Sequence, residues 1–309
     1  MTARDRSVGI EVAAEVAAAL AAARPVVALE STLITHGLAY PHNLEAAARA
    51  EAAVRAGGAV PATVAVGGGA IRVGLERARL EELAQVEDPW KVTRQNLAAA
   101  LGRAGWSGTT VSATMIAARL AGIEVFATGG IGGVHRGGER SMDVSADLEE
   151  LARTPVAVVC AGPKSILDVR RTMEVLETRG VPVVGWGTEE LPGFFSVGSG
   201  IALSQRVGSG HQAADLVRRQ RALGLESGIL FCVPIPAATA LPREEAEAAI
   251  EQAEREAAAA GVHGPRSTPW VLARVAELTE GRSVLANLAL IENNALIAAE
   301  LAAALAAGP

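Results

Sequence analysis

Lysine is almost missing from this chain. Of 28 basic residues among 309, only Lys91 and Lys164 are lysines and the remainder are arginines. Arginine keeps its proton, whereas lysine can lose one and act as a nucleophile. The two surviving lysines are therefore candidates for work arginine cannot do, against the competing account of chance survival at neutral positions. Aromatic residues make up only 3% and cysteines number two, Cys160 and Cys232, each inside an apolar run (VAVVCAG and GILFCVP). That excludes a disulfide framework and suits buried, inert thiols in a reducing compartment. There is no excess of positive charge: 28 basic against 34 acidic residues leave a net charge of −6. A general nucleic-acid or membrane-surface binder needs a basic face, so both classes are excluded, although a small anion held by a few local cations is not. No uninterrupted apolar run approaches the roughly 18 residues of a membrane span. Asp5, Glu11 and Glu15 interrupt the alanine-rich N-terminal stretch, which argues against a signal peptide and for a soluble, cytoplasmic protein.

What is present is half hydrophobic and 20% charged, the balance of a folded chain rather than a disordered one. Six apolar runs read as strands: 26–30, 61–68, 123–130, 155–162, 181–187 and 228–236. They are bounded by Gly and Pro and apolar on both faces, as in a sheet covered on both sides. Helical segments alternate with them, among them NLEAAARAEAAVRAGG, RQNLAAALGRAG, SATMIAARLAG and PKSILDVRRTMEVLETRG. This alternation predicts an α/β three-layer sandwich. TVAVGGGAIRVG reads as a hairpin, so the sheet is expected to be mixed and mostly parallel. From about residue 242 the pattern turns wholly helical, and SVLANLALIENNALIAAELAAALAA is apolar on more than one side, fit to cover the sheet or a neighbouring subunit. No linker or repeat divides residues 1–309, which predicts one domain.

Chemistry is expected at strand C-terminal ends. The first strand ends at Glu30, followed by the polar loop STLITHGLAYPHN. A half-buried carboxylate there has a raised pKa and suits general acid work, unless it is a cap or an ion-pair partner. Lys164 follows the strand PVAVVCAG and reads as the first turn of a helix, where the dipole disfavours an ammonium and favours the neutral amine a Schiff base requires. The plain alternative is an exposed lysine without a role. Lys91, in EDPWKVTRQN, precedes a helix that Thr93 can cap; it suits a phosphate, or an ion pair with Glu87 or Asp88. Six of the eleven residues from Gly129 to Glu139 are glycine, a loop able to wrap an anion with its backbone amides, or else a plain turn. It matches no nucleotide fingerprint, and AGPKS lacks P-loop spacing. Asp143, Ser145 and Asp147 alternate before the helix ADLEEL, which Ser145 can cap. A carboxylate with few His or Cys neighbours suits a hard cation such as Mg²⁺ or Mn²⁺, and zinc spacings are absent.

ALESTLITHGLAYPHNLEAA, GGIGGVHRGGERSMDVSADLEEL, VVCAGPKSILDVRRTMEVLETRGVPVVGW and LANLALIENNALIAAELA resemble the pseudouridine-5′-phosphate glycosidases, the indigoidine synthase A family, from about Val26 to about Leu301. The resemblance implies an α/β/α sandwich assembled as a homotrimer. It also implies reversible, Mn²⁺-dependent cleavage of pseudouridine 5′-phosphate to uracil and ribose 5-phosphate, an activity classed with the carbon–oxygen lyases. By motif, Glu30 matches the family's proton donor, Lys164 the lysine that attacks C1′, and Asp143 the metal ligand. Ser145, Ala146 and Asp147 match substrate contacts, as do Lys91 and Val111 in less distinctive surroundings. Thr110, His135 and Asn287 are pocket residues by the same analogy. Met142 stands where an aromatic or another apolar residue is expected. The implied partners are small molecules, with a pseudouridine kinase as a functional companion. Another imine-forming sugar-phosphate lyase, a pigment-pathway relative acting on a related C-nucleotide, and a sugar-phosphate sensor without catalysis are the competing readings.

Overall fold

In the computed structural model, which describes residues 9–262 and 267–308, the strands are β1 Ile10–Val12, β2 Val26–Leu29, β3 Val60–Gly67, β4 Ala70–Val73, β5 Lys91–Val92, β6 Trp106–Thr109, β7 Val125–Ala127, β8 Ala157–Cys160, β9 Val183–Trp186, β10 Arg206–Val207 and β11 Ile229–Cys232. The helices are α1 Ala14–Ala21, α2 His42–Ala56, α3 Arg77–Ala84, α4 Leu97–Ala100, α5 Val111–Ala121, α6 Gly138–Ser141, α7 Ala146–Leu151, α8 Val169–Thr178, α9 Gly210–Ala222, α10 Arg243–Ala259, α11 Ser267–Leu278 and α12 Arg282–Ala306. Asp5, part of the signal-peptide argument, lies outside the described residues.

The sheet runs β1-β4-β3-β2-β7-β8-β11-β9-β10, with β6 joining β3 to β5. Its named pairings are parallel except β3–β4 and β3–β6, so the expected hairpin and the mixed, mostly parallel sheet are both present. The central strands bury both faces, with strict alternation. Val27, Leu29, Val125, Ala127, Val159 and Phe231 join a core roofed by α2, α9, α10 and α12. Val26, Ala28, Phe126, Val158, Cys160 and Leu230 join the opposite core under α1, α5, α7 and α8. Near-continuous apolar runs follow from such double coverage. Cys160 and Cys232 are register partners across β8 and β11, both free and buried, and the adjacent Cys160 thiol together with burial pushes the Cys232 thiol up. By length and composition α12 could cross a bilayer, with a mean hydropathy of 1.5 over 18 residues, but 56% of that stretch is buried inside the fold, where it roofs the sheet.

Two helical expectations need correction. The stretch 163–180 is helical only from Val169, because Asp168 caps the helix through its carboxylate, which accepts from the Arg171 amide at 3.0 Å. RQNLAAALGRAG shrinks to the single turn α4. Asn96, not Thr93, stands at its N-cap position, and the Asn96 carboxamide oxygen accepts the Thr93 amide at 2.7 Å instead.

β3 has one edge occupied twice, and this positions the site. β2 pairs with Val60–Thr63; beyond the end of β2, β6 takes over the same edge at Ala65–Gly67. The chain after Leu29 is thus displaced from the sheet, and Ser31 ties it down by accepting the Thr109 amide at 2.9 Å. The glycine-rich loop after β7 is held just as closely. A Cβ at Gly130 would lie 2.6 Å from the Phe194 ring and 2.8 Å from the Gly162 carbonyl oxygen. Gly130→Ala is expected to lower stability by about 1–3 kcal/mol, as overpacking does, read as a fall in Tm by calorimetry.

Candidate active site

A cavity of about 350 Å³ opens where the C-terminal ends of β2, β5, β6, β7 and β8 converge. Glu30, Lys91, Thr110, Val111, His135, Asp143, Ser145, Ala146, Asp147 and Lys164 all line it. Ten of the eleven site candidates, from segments more than 130 residues apart, are thereby brought together. Asn287 is the exception. It sits half-buried on α12, within ordinary contact of where a Gly129 Cβ would be, and does not reach the cavity wall. Asn294, two turns further along the same helix and fully buried, makes the actual link: its amide donates to the Thr128 carbonyl at 2.9 Å and to that of Gly129 at 3.3 Å.

Glu30 is 9% exposed, and burial raises its pKa above the ordinary carboxylate range. The ammonium groups of Lys164 and Lys91 and a hydrogen bond from the Thr128 hydroxyl pull the other way, while Asp147 reinforces the rise. The carboxyl is accordingly disposed to hold a proton and to give it up inside the cavity. No ion pair caps it among the described residues.

Lys164 does not occupy a helix N-terminus. It lies in the loop between β8 and α8, five residues ahead of the first helical residue, so the dipole argument for a neutral amine does not apply. Its backbone is fixed instead: its amide donates to the Ile131 carbonyl and its carbonyl accepts from Leu167, each at 3.0 Å. The Lys91 ammonium is pushed down first by burial and then by the charge of Lys164. Lys91 forms no ion pair with Glu87 or Asp88 among the described residues, and Asp88 faces Arg103. Two ammonium groups facing one small cavity favour anion binding or release of a proton from one of them.

The glycine-rich loop does not present a free row of amides. Ile131 donates to Gly162, Gly132 to Asp147, Val134 to Thr172, His135 to Asp143 and Gly138 to His135, so five of its eleven amides are satisfied within the protein. Close approach explains its composition. A Cβ at Gly132 would collide with Ser145 and come within 2.8 Å of Asp147, and one at Gly133 would collide with Thr172.

Ser145 caps α7 as expected, accepting from the Asp147 amide at 3.2 Å. The Asp147 carboxylate accepts the Ser112 amide at 3.0 Å through one oxygen and the Gly132 amide at 2.8 Å through the other, joining two walls. Asp143 is exposed at the rim, and its carboxylate has no ion-pair partner among the described residues. No group of three His, Cys, Asp or Glu residues gathers there among the described residues. A cation at Asp143 would thus take one protein carboxylate and keep a shell of water, which a hard ion such as Mn²⁺ or Mg²⁺ tolerates and zinc does not favour.

Thr32, Gln95, Asn96, Ile166 and Thr268 also line the cavity, without having been singled out from the sequence, and Thr93, expected only as a helix cap, lines it too. The buried Thr32 hydroxyl has no hydrogen-bond partner among the described residues. Proximity of Thr93, Gln95 and Asn96 to Lys91 was the available signal. For Asn294 it was a polar residue inside an otherwise apolar helix.

The family model for indigoidine synthase A like proteins matches residues 15–304. A pseudouridine-5′-phosphate glycosidase from Paracoccus denitrificans is 56% identical over 301 residues, spanning 96% of this chain and 98% of that one. A protein of the same name from Mesorhizobium japonicum is 53% identical, spanning 96% and 97%. Among solved structures, the prealnumycin C-glycosynthase AlnA in complex with ribulose 5-phosphate superposes with a TM-score of 0.89 at 38% identity, covering 96% of this chain and 97% of that one. An indigoidine synthase A-like protein from Thermotoga maritima superposes with a TM-score of 0.89 at 35% identity, with 99% of each chain covered.

Proposed function

The chain belongs to the indigoidine synthase A-like family, and from that premise we propose that it cleaves the C–C glycosidic bond of pseudouridine 5′-phosphate, reversibly, to uracil and ribose 5-phosphate. The observation that carries this reading is the meeting of a buried Glu30, whose pKa burial raises, with Lys164 in one cavity. Relatives more than half identical over nearly the whole chain carry the glycosidase name.

A C-nucleoside offers no glycosidic heteroatom to protonate, so the usual two-carboxylate route to a sugar is closed. Glu30 instead gives its proton to the ribose ring oxygen as the C1′–O bond opens, with electrons supplied by the uracil ring. The Lys164 amine adds to C1′ and loses a proton. The C1′–C5 bond then breaks, its electron pair leaving with uracil C5, which takes up a proton, while the nitrogen lone pair closes the imine on Lys164. Water hydrolyses that imine, releasing ribose 5-phosphate and the free amine. Nucleophilic catalysis of this kind splits one difficult bond cleavage into easier steps. Lys91 and the hydroxyls of Thr93, Thr110 and Ser145 hold the phosphate and sugar. Mn²⁺, held at Asp143 with water completing its shell, would supply charge neutralisation for the anionic substrate. A homotrimer in the cytoplasm, working after a kinase that phosphorylates pseudouridine, completes the proposal.

Incubation with pseudouridine 5′-phosphate and Mn²⁺ is expected to release uracil stoichiometrically with ribose 5-phosphate, and a chelator is expected to stop it until Mn²⁺ is restored. Binding of the substrate without release of uracil would favour the sensor reading. Turnover of a different C-nucleotide only would favour the pigment-pathway reading.

A further inference from the structure

The turn Thr93–Asn96 contributes Thr93, Gln95 and Asn96 to the cavity next to Lys91, while Arg94 alone turns the other way. Its guanidinium forks onto both oxygens of Glu150, donating from Nε to one and from Nη2 to the other at 2.8 Å. Glu150 is fully buried, and besides Arg94 it receives only the Thr154 hydroxyl among the described side chains. Glu150 is on α7, the helix whose N-cap and first turn bring Ser145, Ala146 and Asp147 to the cavity. The Arg94 amide makes a second tie, donating to Ser112 Oγ at 3.3 Å, and the Ser112 amide donates in turn to Asp147.

We infer that the Arg94–Glu150 pair is a positioning clamp that sets the Lys91 wall of the cavity against the Ser145–Asp147 wall. A bidentate guanidinium–carboxylate fork fixes both distance and angle, which a lysine in the same place does not. The inference rests on the reaction proposed above only for its kinetic readout. Contacts made from these two walls act on bound substrate throughout the reaction, so loosening them weakens binding more than chemistry.

The complication is that removing Arg94 leaves Glu150 buried and unpaired, which destabilises the fold on its own account. The test therefore compares wild type, Arg94→Ala, Arg94→Lys and the double variant Arg94→Ala/Glu150→Gln. Arg94→Ala is expected to lower Tm and to raise KM for pseudouridine 5′-phosphate about tenfold with kcat changed much less. The double variant is expected to recover most of the Tm but none of the KM, because the buried charge is gone and the clamp with it. Arg94→Lys is expected to restore KM in part. Recovery of KM together with Tm in the double variant would show a stabilising pair and nothing more, and overturn the inference, as would an unchanged KM in Arg94→Ala. Should wild type release no uracil, the reaction is misassigned, and amide hydrogen exchange of residues 91–96 reads the clamp without substrate. Faster exchange there in the double variant supports it, and unchanged exchange overturns it.

Discussion

Lys164→Arg is expected to abolish uracil release, by about 10⁴-fold or more, as removal of a covalent nucleophile does, while Tm moves by less than the equivalent of about 0.5–1 kcal/mol. The expectation of an intact fold follows from how the residue is held. Its position is set by backbone hydrogen bonds to Ile131 and Leu167, which any side chain preserves, and its side chain takes part in no ion pair among the described residues. Arginine keeps the positive charge beside Glu30 and Lys91 and forfeits only the capacity to form an imine. Lys91 makes the experiment discriminating. It faces the same cavity, and burial and the neighbouring ammonium push it down, so it is the natural rival for the role of nucleophile. Borohydride added to protein turning over ribose 5-phosphate is expected to trap a reduced adduct whose peptide map falls on residue 164. The trap should persist in Lys91→Arg, with weaker substrate binding, and vanish in Lys164→Arg. A label on residue 91 would reverse the two assignments.

How far the sequence led can be judged at that same loop. β8 was legible because Ala157–Cys160 is buried on both faces and reads as an unbroken apolar run. The start of α8 lies six residues beyond the expected one because Ile166 and Leu167 continue the apolar spacing of a helix although both face the cavity. Asp168, an acceptable N-cap three residues before Arg171, was the better signal for the boundary. The strands missed were those without apolar content or length: β6 is Trp-Ser-Gly-Thr, whose Thr109 is spent on Ser31 and Val64, β1 has three residues, and β5 and β10 have two each. Their pairing is decided by neighbours far away in sequence, which no local pattern encodes. Ten site residues were legible mainly because their motifs resemble a known family. Glu30 at a strand end, the scarcity of lysine and the alternation of Asp143, Ser145 and Asp147 before a helix were the signals that pure chemistry supplied. Asn287 was carried over with them, whereas Asn294 is the residue by which α12 holds the Thr128 and Gly129 carbonyls beyond the end of β7.

Glu30→Gln should separate activity from stability in opposite directions. The Gln side chain keeps the shape and an oxygen to accept the Thr128 hydroxyl, but it has no proton to deliver, so uracil release is expected to fall about 10²–10⁴-fold. In wild type the catalytically useful form is the protonated one. Burial raises its pKa, so kcat/KM should decline as pH rises through that raised value, and this limb should be missing from what activity Glu30→Gln retains. The same shift fixes the sign for folding. A carboxyl that holds its proton more tightly when folded than when unfolded contributes stability that is complete below the ordinary Glu value of about 4.3 and is lost as pH rises through the folded value. Glu30→Gln does not titrate, so urea unfolding across that window should find it gaining on wild type as pH increases. A variant less active yet relatively more stable toward neutral pH is the signature of a carboxyl kept buried for its chemistry. A parallel loss of both would identify Glu30 as a structural residue of the strand end.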